Sequence, residues 1–258
     1  MTGQRTLVDL TAGRVPRSAP APNATLVERR DLTEAIAILR VRPDEGPAGS
    51  VPGQYFSLGL SVAGQLIQRP YSNAAPPGSP VLEFLVRLVP AGVLTPILWQ
   101  AAIPSRLHLG RARGVFRLQA DDPRAHLFIA TGTGLAPFVA MSGSLLERGD
   151  PPTTVVVHGV AHVAELAYRD HFSRLNDQGR VRYVPSISRP GEAGNSGWDG
   201  AIGRATATLP GLFDDLLDPL ATVAYLCGNP GMVDAAGQIL ARVGLPPAAI
   251  VVERYWVG

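Results

Sequence analysis

Through the first half of the chain, apolar residues fall in short alternating or continuous runs: Glu34 to Val41, Gln54 to Leu60, Gln65 to Arg69, Val81 to Val89, Arg106 to Leu109 and Val115 to Leu118. Even spacing with proline and glycine between the runs predicts an antiparallel β-barrel or sandwich from Thr25 to about Ala120. Past Asp121-Asp122-Pro123 the rhythm changes. Strand-like His126 to Ala130, Thr154 to His158, Val181 to Ile187, Ala221 to Cys227 and Ile250 to Val252 now alternate with helical patterns over Pro137 to Arg148, Ala164 to Asn176 and Met232 to Val243. That alternation predicts a doubly wound parallel sheet covered on both faces. The expected organisation is an extension over residues 1–24, a barrel over 25–121 and an α/β domain over 122–258. Ligands of such sheets sit beyond the carboxyl ends of the strands, where the barrel can face them.

Composition narrows the function classes. At 46% hydrophobic and 17% charged residues, the 258-residue chain is expected to fold rather than stay disordered. All 23 basic positions are arginine, and 21 acidic ones leave a net charge of only +2, which argues against a nucleic-acid surface. One cysteine excludes a disulfide framework and any cluster held by four thiolates of this chain. No apolar run reaches the ~18 residues of a membrane span, and no secretory leader pattern opens the chain, so a cytoplasmic protein is expected. His158 and His162 raise the question of a metal, but no carboxylate cluster accompanies them and none is expected.

Three short segments carry candidate chemistry. Thr131-Gly132-Thr133-Gly134-Leu135-Ala136-Pro137 follows the first α/β strand and opens a helix, so backbone N–H groups and the helix N-terminus face any anion there. It is not the G-x-G-x-x-G fingerprint. Cys227-Gly228-Asn229-Pro230-Gly231-Met232 ends another strand on the same sheet edge, which aims the thiol at the same crevice; a cysteine so placed is otherwise an inert core thiol. Arg69-Pro70-Tyr71-Ser72 sets a cation, an aromatic ring and a hydroxyl on four residues of extended chain, with Arg69 and Tyr71 on one side and Ser72 on the other.

Arg69-x-Tyr71-Ser72, Gly92-Val93-Leu94-Thr95, Gly132-Thr133-Gly134-Leu135-Ala136-Pro137, Cys227-Gly228-Asn229-Pro230-x-Met232 and terminal Glu253-x-Tyr255 stand in an order and spacing that resembles the bacterial ferredoxin (flavodoxin)–NADP reductases, from about Thr25 to the C-terminus. The resemblance implies an FAD-binding barrel and an NADP(H)-binding α/β domain. It places Arg69 on the FAD pyrophosphate, Tyr71 against the isoalloxazine and Ser72 near flavin N5, with Gly92, Leu94 and Thr95 adding donors to the pyrophosphate. Thr133 and Gly134 would receive NADP(H), Cys227 would lie close to the nicotinamide, and Glu253 would act in the proton or hydride geometry. Tyr255 would cover the other flavin face and Trp256 would pack on the adenine. The final strand gives the last pair a basis of its own, since Tyr255 and Trp256 leave the sheet at its ligand edge.

Nucleotide choice turns on arginines with nothing acidic opposite them. Ser188-Arg189 and Gly203-Arg204 match the family's 2′-phosphate positions, but Ala161 stands where relatives carry a third arginine, and Pro190 replaces an acidic residue. Loss of one charge-assisted bond weakens a phosphate preference about 10- to 100-fold; NADPH is still the expected donor. The implied activity is hydride transfer from NADPH to FAD and single-electron transfer to a ferredoxin or flavodoxin, by a monomer whose Arg40, Arg42, Arg87, Arg111 or Arg113 meet the acidic carrier. Two alternatives stay open: an NADH-dependent flavin or oxygenase-system reductase of the same superfamily, and a flavin-binding electron-transfer subunit without nucleotide turnover of its own.

Overall fold

A computed structural model describes residues 20–255. Six strands form the first half: β1 (Ala24–Thr33), β2 (Ile36–Pro43), β3 (Tyr55–Val62), β4 (Gln65–Ser72), β5 (Leu82–Arg87) and β6 (Ser105–Leu109). They pair antiparallel in the order β4-β3-β6-β1-β2-β5. A bridge between Asn73 and Phe84 then joins the two edge strands. The closure removes the exposed edges and encloses Leu26, Leu39, Phe56, Leu58, Phe84 and Leu107. Helix α1 (Leu94–Gln100) plugs this core with Leu94 and Leu98.

β1 is absent from the pattern of runs because its centre, Glu28-Arg29-Arg30-Asp31, is charged and only its start is buried. The strand begins inside the stretch expected to be an extension: Asn23 donates its backbone N–H to the Leu107 carbonyl and Ala24 is buried. Residues 1–19 lie outside the described residues. Val115 to Leu118 is not a strand; Phe116 and Leu118 leave the barrel and enter the core of the second half, where Phe116 meets the Tyr225 ring edge-on at 6.0 Å.

The second sheet is wholly parallel: β7 (Ala125–Thr131), β8 (Thr154–Val160), β9 (Arg182–Ile187), β10 (Ala201–Ile202), β11 (Thr222–Gly228) and β12 (Ile250–Arg254), ordered β10-β9-β8-β7-β11-β12. Every residue of β8 and β11 is buried, as strands covered on both faces require. One face packs on α4 (Leu209–Asp215) and α5 (Pro230–Arg242), the other on α2 (Ala136–Leu146) and α3 (Arg169–Asp177). The helix expected from Ala164 starts only at Arg169, because Tyr168 takes a left-handed backbone (φ 55°) that no continuous helix contains. Among the described residues, no helix is long and apolar enough to cross a membrane.

The halves share an apolar seam of Ile36, Ile38, Ala74 and Leu85 from the first and Ala136 and Ala167 from the second. Polar ties flank it: the Tyr168 hydroxyl donates to Glu83 Oε1 at 2.7 Å, and Arg87 lies 3.5 Å from Glu165. The seam fixes how the barrel faces the carboxyl edge of the parallel sheet.

Candidate functional site

The chain leaves β7 toward β8, β9 and β10, then returns to β11 on the other side of β7. Strand order therefore reverses between β7 and β11, and their carboxyl ends are where ligands of such sheets sit. The two glycine-rich turns meet there. A side-chain carbon on Gly134 would collide with the Cys227 carbonyl, and one on Gly228 (φ 132°) would sit 2.5 Å from Thr131 Oγ1. Gly134 is thus required by contact with the neighbouring turn, not by an open approach to a ligand. Thr133 lies half-buried in the same turn, and Thr131 Oγ1 accepts the Asn229 N–H at 3.1 Å. Helices α2 and α5 both start at this edge with no acidic residue in their first turns, so their positive ends are uncompensated.

His158, fully buried on β8, supports the first turn. Burial pushes its pKa down to about 4, so it is neutral near pH 7 and donates from Nε2 to the Gly132 carbonyl at 3.1 Å. His162 contacts carboxylates instead, and no grouping of three or more metal-type side chains occurs among the described residues.

From the barrel side, Ser72 ends β4 and reaches into the same place. Asn73 fixes it: this buried side chain accepts from the Ala75 and Glu83 N–H groups and donates to the Ala75 carbonyl. The Tyr255 hydroxyl donates to Ser72 Oγ at 2.9 Å, and Ser72 Oγ donates to Glu253 Oε2 at 3.2 Å. Cys227, paired with Glu253 across β11 and β12, places Sγ 3.9 Å from the same oxygen. Four residues expected to act together are therefore joined by three contacts, with Ser72 from the barrel and Cys227, Glu253 and Tyr255 from the second half.

The electrostatics of this cluster follow from enclosure. Burial raises the Cys227 thiol well above its ordinary value, and the Glu253 charge adds to the effect, so the sulfur is a neutral wall rather than a thiolate. Burial likewise raises the Tyr255 hydroxyl and the Glu253 carboxyl, the latter partly offset by bonds from Ser72 and Cys227. A carboxyl whose folded pKa is raised favours the protonated state, so its contribution to stability is greatest at low pH and is lost as pH rises through the carboxylate range. Glu253→Gln is expected to unfold later than the parent at about pH 8 and together with it at about pH 4. A difference independent of pH in urea unfolding would show that Glu253 is not held against its charge.

The remaining barrel residues divide. Arg69 is exposed, bonds only the Gln68 carbonyl at 2.9 Å and has no carboxylate partner among the described residues. Tyr71 is half-buried against the barrel core, and burial lifts its hydroxyl to about 12. Leu94 is buried in that core. The Thr95 hydroxyl accepts the Val89 N–H at 2.9 Å and donates to the Val89 carbonyl at 3.2 Å, which fixes the turn through Gly92. Only backbone N–H groups of Leu94 and Thr95 are then available. Trp256 lies outside the described residues.

At the far edge, Ser188 N and Oγ both donate to the Val160 carbonyl, which sets Ser188 beside Ala161. Arg204 follows β10 and is exposed, and the Gly203 N–H holds that corner to Ile187 at 2.8 Å. Arg189, also exposed, lies 3.4 Å from Glu192. Glu192, His158, Asn73 and Tyr168 are participants that spacing alone does not reveal.

Residues 23–118 match the model of the oxidoreductase FAD-binding domain and residues 128–238 that of the oxidoreductase NAD-binding domain. The chain is 30% identical over 240 residues to ferredoxin–NADP reductase B of Sorangium cellulosum, covering 90% of this chain and 96% of that one. It is also 30% identical to the phenol hydroxylase P5 protein of Acinetobacter pittii, covering 90% of this chain and 65% of that protein. Its fold superposes on a ferredoxin NADP+ reductase from Neisseria gonorrhoeae with a TM-score of 0.78, over 92% of this chain and all of that one at 22% identity. With a barrel and a parallel sheet meeting at one crevice, and with both domain models matched in order, the chain belongs to the ferredoxin–NADP reductase family of FAD- and NAD-binding oxidoreductases.

Proposed function

We propose that the chain draws hydride from NADPH onto FAD and delivers the electrons singly to a ferredoxin or flavodoxin. The contact of Ser72 with Glu253 and Tyr255, which joins the barrel to the end of the parallel sheet, carries this reading. The residues present fit both groups: Arg69 has no carboxylate partner among the described residues and stands beside a half-buried ring, and the edge between β7 and β11 has two helix N-termini with no acidic residue in their first turns. FAD, when bound, supplies the conversion between a two-electron hydride and single electrons.

The chain's own contribution is positioning, which must bring reacting atoms to about 3–3.5 Å. In this reading Arg69 would hold the pyrophosphate, Tyr71 would lie against the ring, and Ser72, fixed by Asn73, would stand near its redox edge. Leu94 and Thr95 add backbone N–H groups. The turn carrying Thr133 and Gly134 accepts the nucleotide pyrophosphate, and Ser188, Arg189 and Arg204 face the 2′-phosphate. Glu253, whose Oε2 accepts from Ser72, takes up or releases a proton at its carboxyl, Cys227 excludes water, and Tyr255 would give up its place when the nicotinamide enters.

An acidic carrier needs unpaired arginines. Arg40 is held by Glu83 at 2.8 Å and Glu28 at 3.2 Å, and Arg87 by Glu165. Exposed Arg42, Arg111 and Arg113 make no ion pair among the described residues, and fully exposed Val115 follows Arg113 in the same loop. The double variant Arg111→Glu, Arg113→Glu is expected to lower kcat/KM for an acidic ferredoxin by about 10- to 100-fold at low salt, with the deficit shrinking as salt rises. Steady-state ferredoxin reduction measures this; equal rates at low salt contradict the docking face. A second reading, an oxygenase-system reductase using NADH, is favoured by Ala161 and by similarity to the phenol hydroxylase P5 protein. Rates with NADPH against NADH separate the two.

A further inference from the structure

The corner where Arg189 stands contains a carboxylate that the arginine pattern does not announce. Glu192 Oε1 lies 3.4 Å from the Arg189 guanidinium, while its other oxygen, Oε2, accepts from His162 Nε2 at 2.6 Å. The side chain is exposed yet held at both oxygens. Its loop is equally constrained. Buried Asn195 donates to the Arg189 carbonyl at 2.7 Å and accepts the Val163 N–H at 2.8 Å, which staples residues 189–195 to the segment that follows β8. That segment contains Ala161 and His162 itself, whose Nδ1 lies 3.7 Å from Glu165.

Resting on the nucleotide-edge reading above, we infer that Glu192 sets the nucleotide preference: by engaging Arg189 and adding a negative charge beside it, it weakens selection of a 2′-phosphate and admits NADH. A 2′-phosphate brings about two negative charges to this corner, whereas the corresponding ribose hydroxyl brings none and can donate to a carboxylate. The same side chain therefore opposes one nucleotide and tolerates the other. Discrimination of this kind is a difference of affinities, and a fixed repulsive group contributes to it as directly as an attractive one.

The test compares kcat/KM for NADPH and NADH in the FAD-loaded parent, Glu192→Gln and Glu192→Asp, with NADH as internal reference because it lacks the phosphate. Removing one charge beside a dianion in a high-dielectric setting is expected to raise the NADPH/NADH ratio about tenfold in Glu192→Gln, and Glu192→Asp is expected to stay near the parent. Inhibition by 2′-phospho-AMP, which reaches only the adenosine end, is expected to tighten by a similar factor relative to AMP. Flavin absorbance per chain confirms that each variant is folded and loaded. An unchanged ratio and unchanged 2′-phospho-AMP inhibition in Glu192→Gln overturn the inference and leave an NADPH-dependent reductase intact. A parent that prefers NADH overturns the NADPH reading alone, and a rise of the ratio in Glu192→Gln then still supports the role of Glu192.

Discussion

Gly134→Ala is expected to disable the nucleotide crevice while Gly143→Ala, nine residues along, leaves it working. At Gly134 the added carbon meets the Cys227 carbonyl and the Gly228 Cα, both backbone atoms of the adjacent strand end. Neither can rotate away as a flexible side chain would, so β7 and β11 must part where the two turns interlock. Overpacking of this kind costs about 3 kcal/mol or more when backbone has to move. At roughly 2–4 °C per kcal/mol, melting is expected to fall by about 6–12 °C, with nucleotide affinity lost beyond that. Gly143 lies within α2 with nothing inside 4 Å of its added carbon, and alanine there gains about 0.5–1 kcal/mol of helix propensity. Calorimetric melting and nucleotide titration of the two variants check the pair; similar behaviour would show that the turns do not depend on close approach.

Tyr255→Ser is expected to tighten nucleotide binding, not weaken it. The half-buried ring packs on the core around Cys227, and its hydroxyl is bonded to Ser72; on the proposed reading it fills space that the nicotinamide needs. Displacing it forfeits ring burial of about 1.5–3 kcal/mol and a hydrogen bond of about 1 kcal/mol. Serine removes most of that competition, which corresponds to about 100-fold in affinity. Tyr255→Phe retains the ring and loses only the hydroxyl, so a gain of a few-fold is expected. Equilibrium titration of the oxidised holoenzyme measures both; an unchanged or weaker affinity in Tyr255→Ser contradicts competition for one place.

Periodicity revealed the parallel sheet because β8 and β11 are buried on both faces and read as nearly unbroken apolar runs. β1 escaped it because charged residues face solvent through most of its length, and Val115 to Leu118 misled it because Phe116 and Leu118 serve the neighbouring core. At the site, Cys227 and Tyr255 were legible because they stand at or just past the carboxyl ends of β11 and β12, whereas Ser72, at the end of barrel strand β4, and Glu253 were named by the resemblance. Asn73, Tyr168 and Glu192 were not: their importance lies in partners 10, 85 and 30 residues away, a pairing that spacing along the chain does not encode. The two bonds of the Thr95 hydroxyl to Val89 were equally invisible along the chain, and they leave its backbone N–H as the donor toward a ligand.

On the proposed reading the barrel and the parallel sheet hold donor and acceptor within hydride reach. Anaerobic rapid mixing of the FAD-loaded protein with NADPH, unlabelled or deuterated at the transferred position, tests it most directly. Flavin absorption is expected to fall in a single turnover, slowed by deuterium. Nucleotide that binds while the flavin stays oxidised, or reduction indifferent to the isotope, would contradict it.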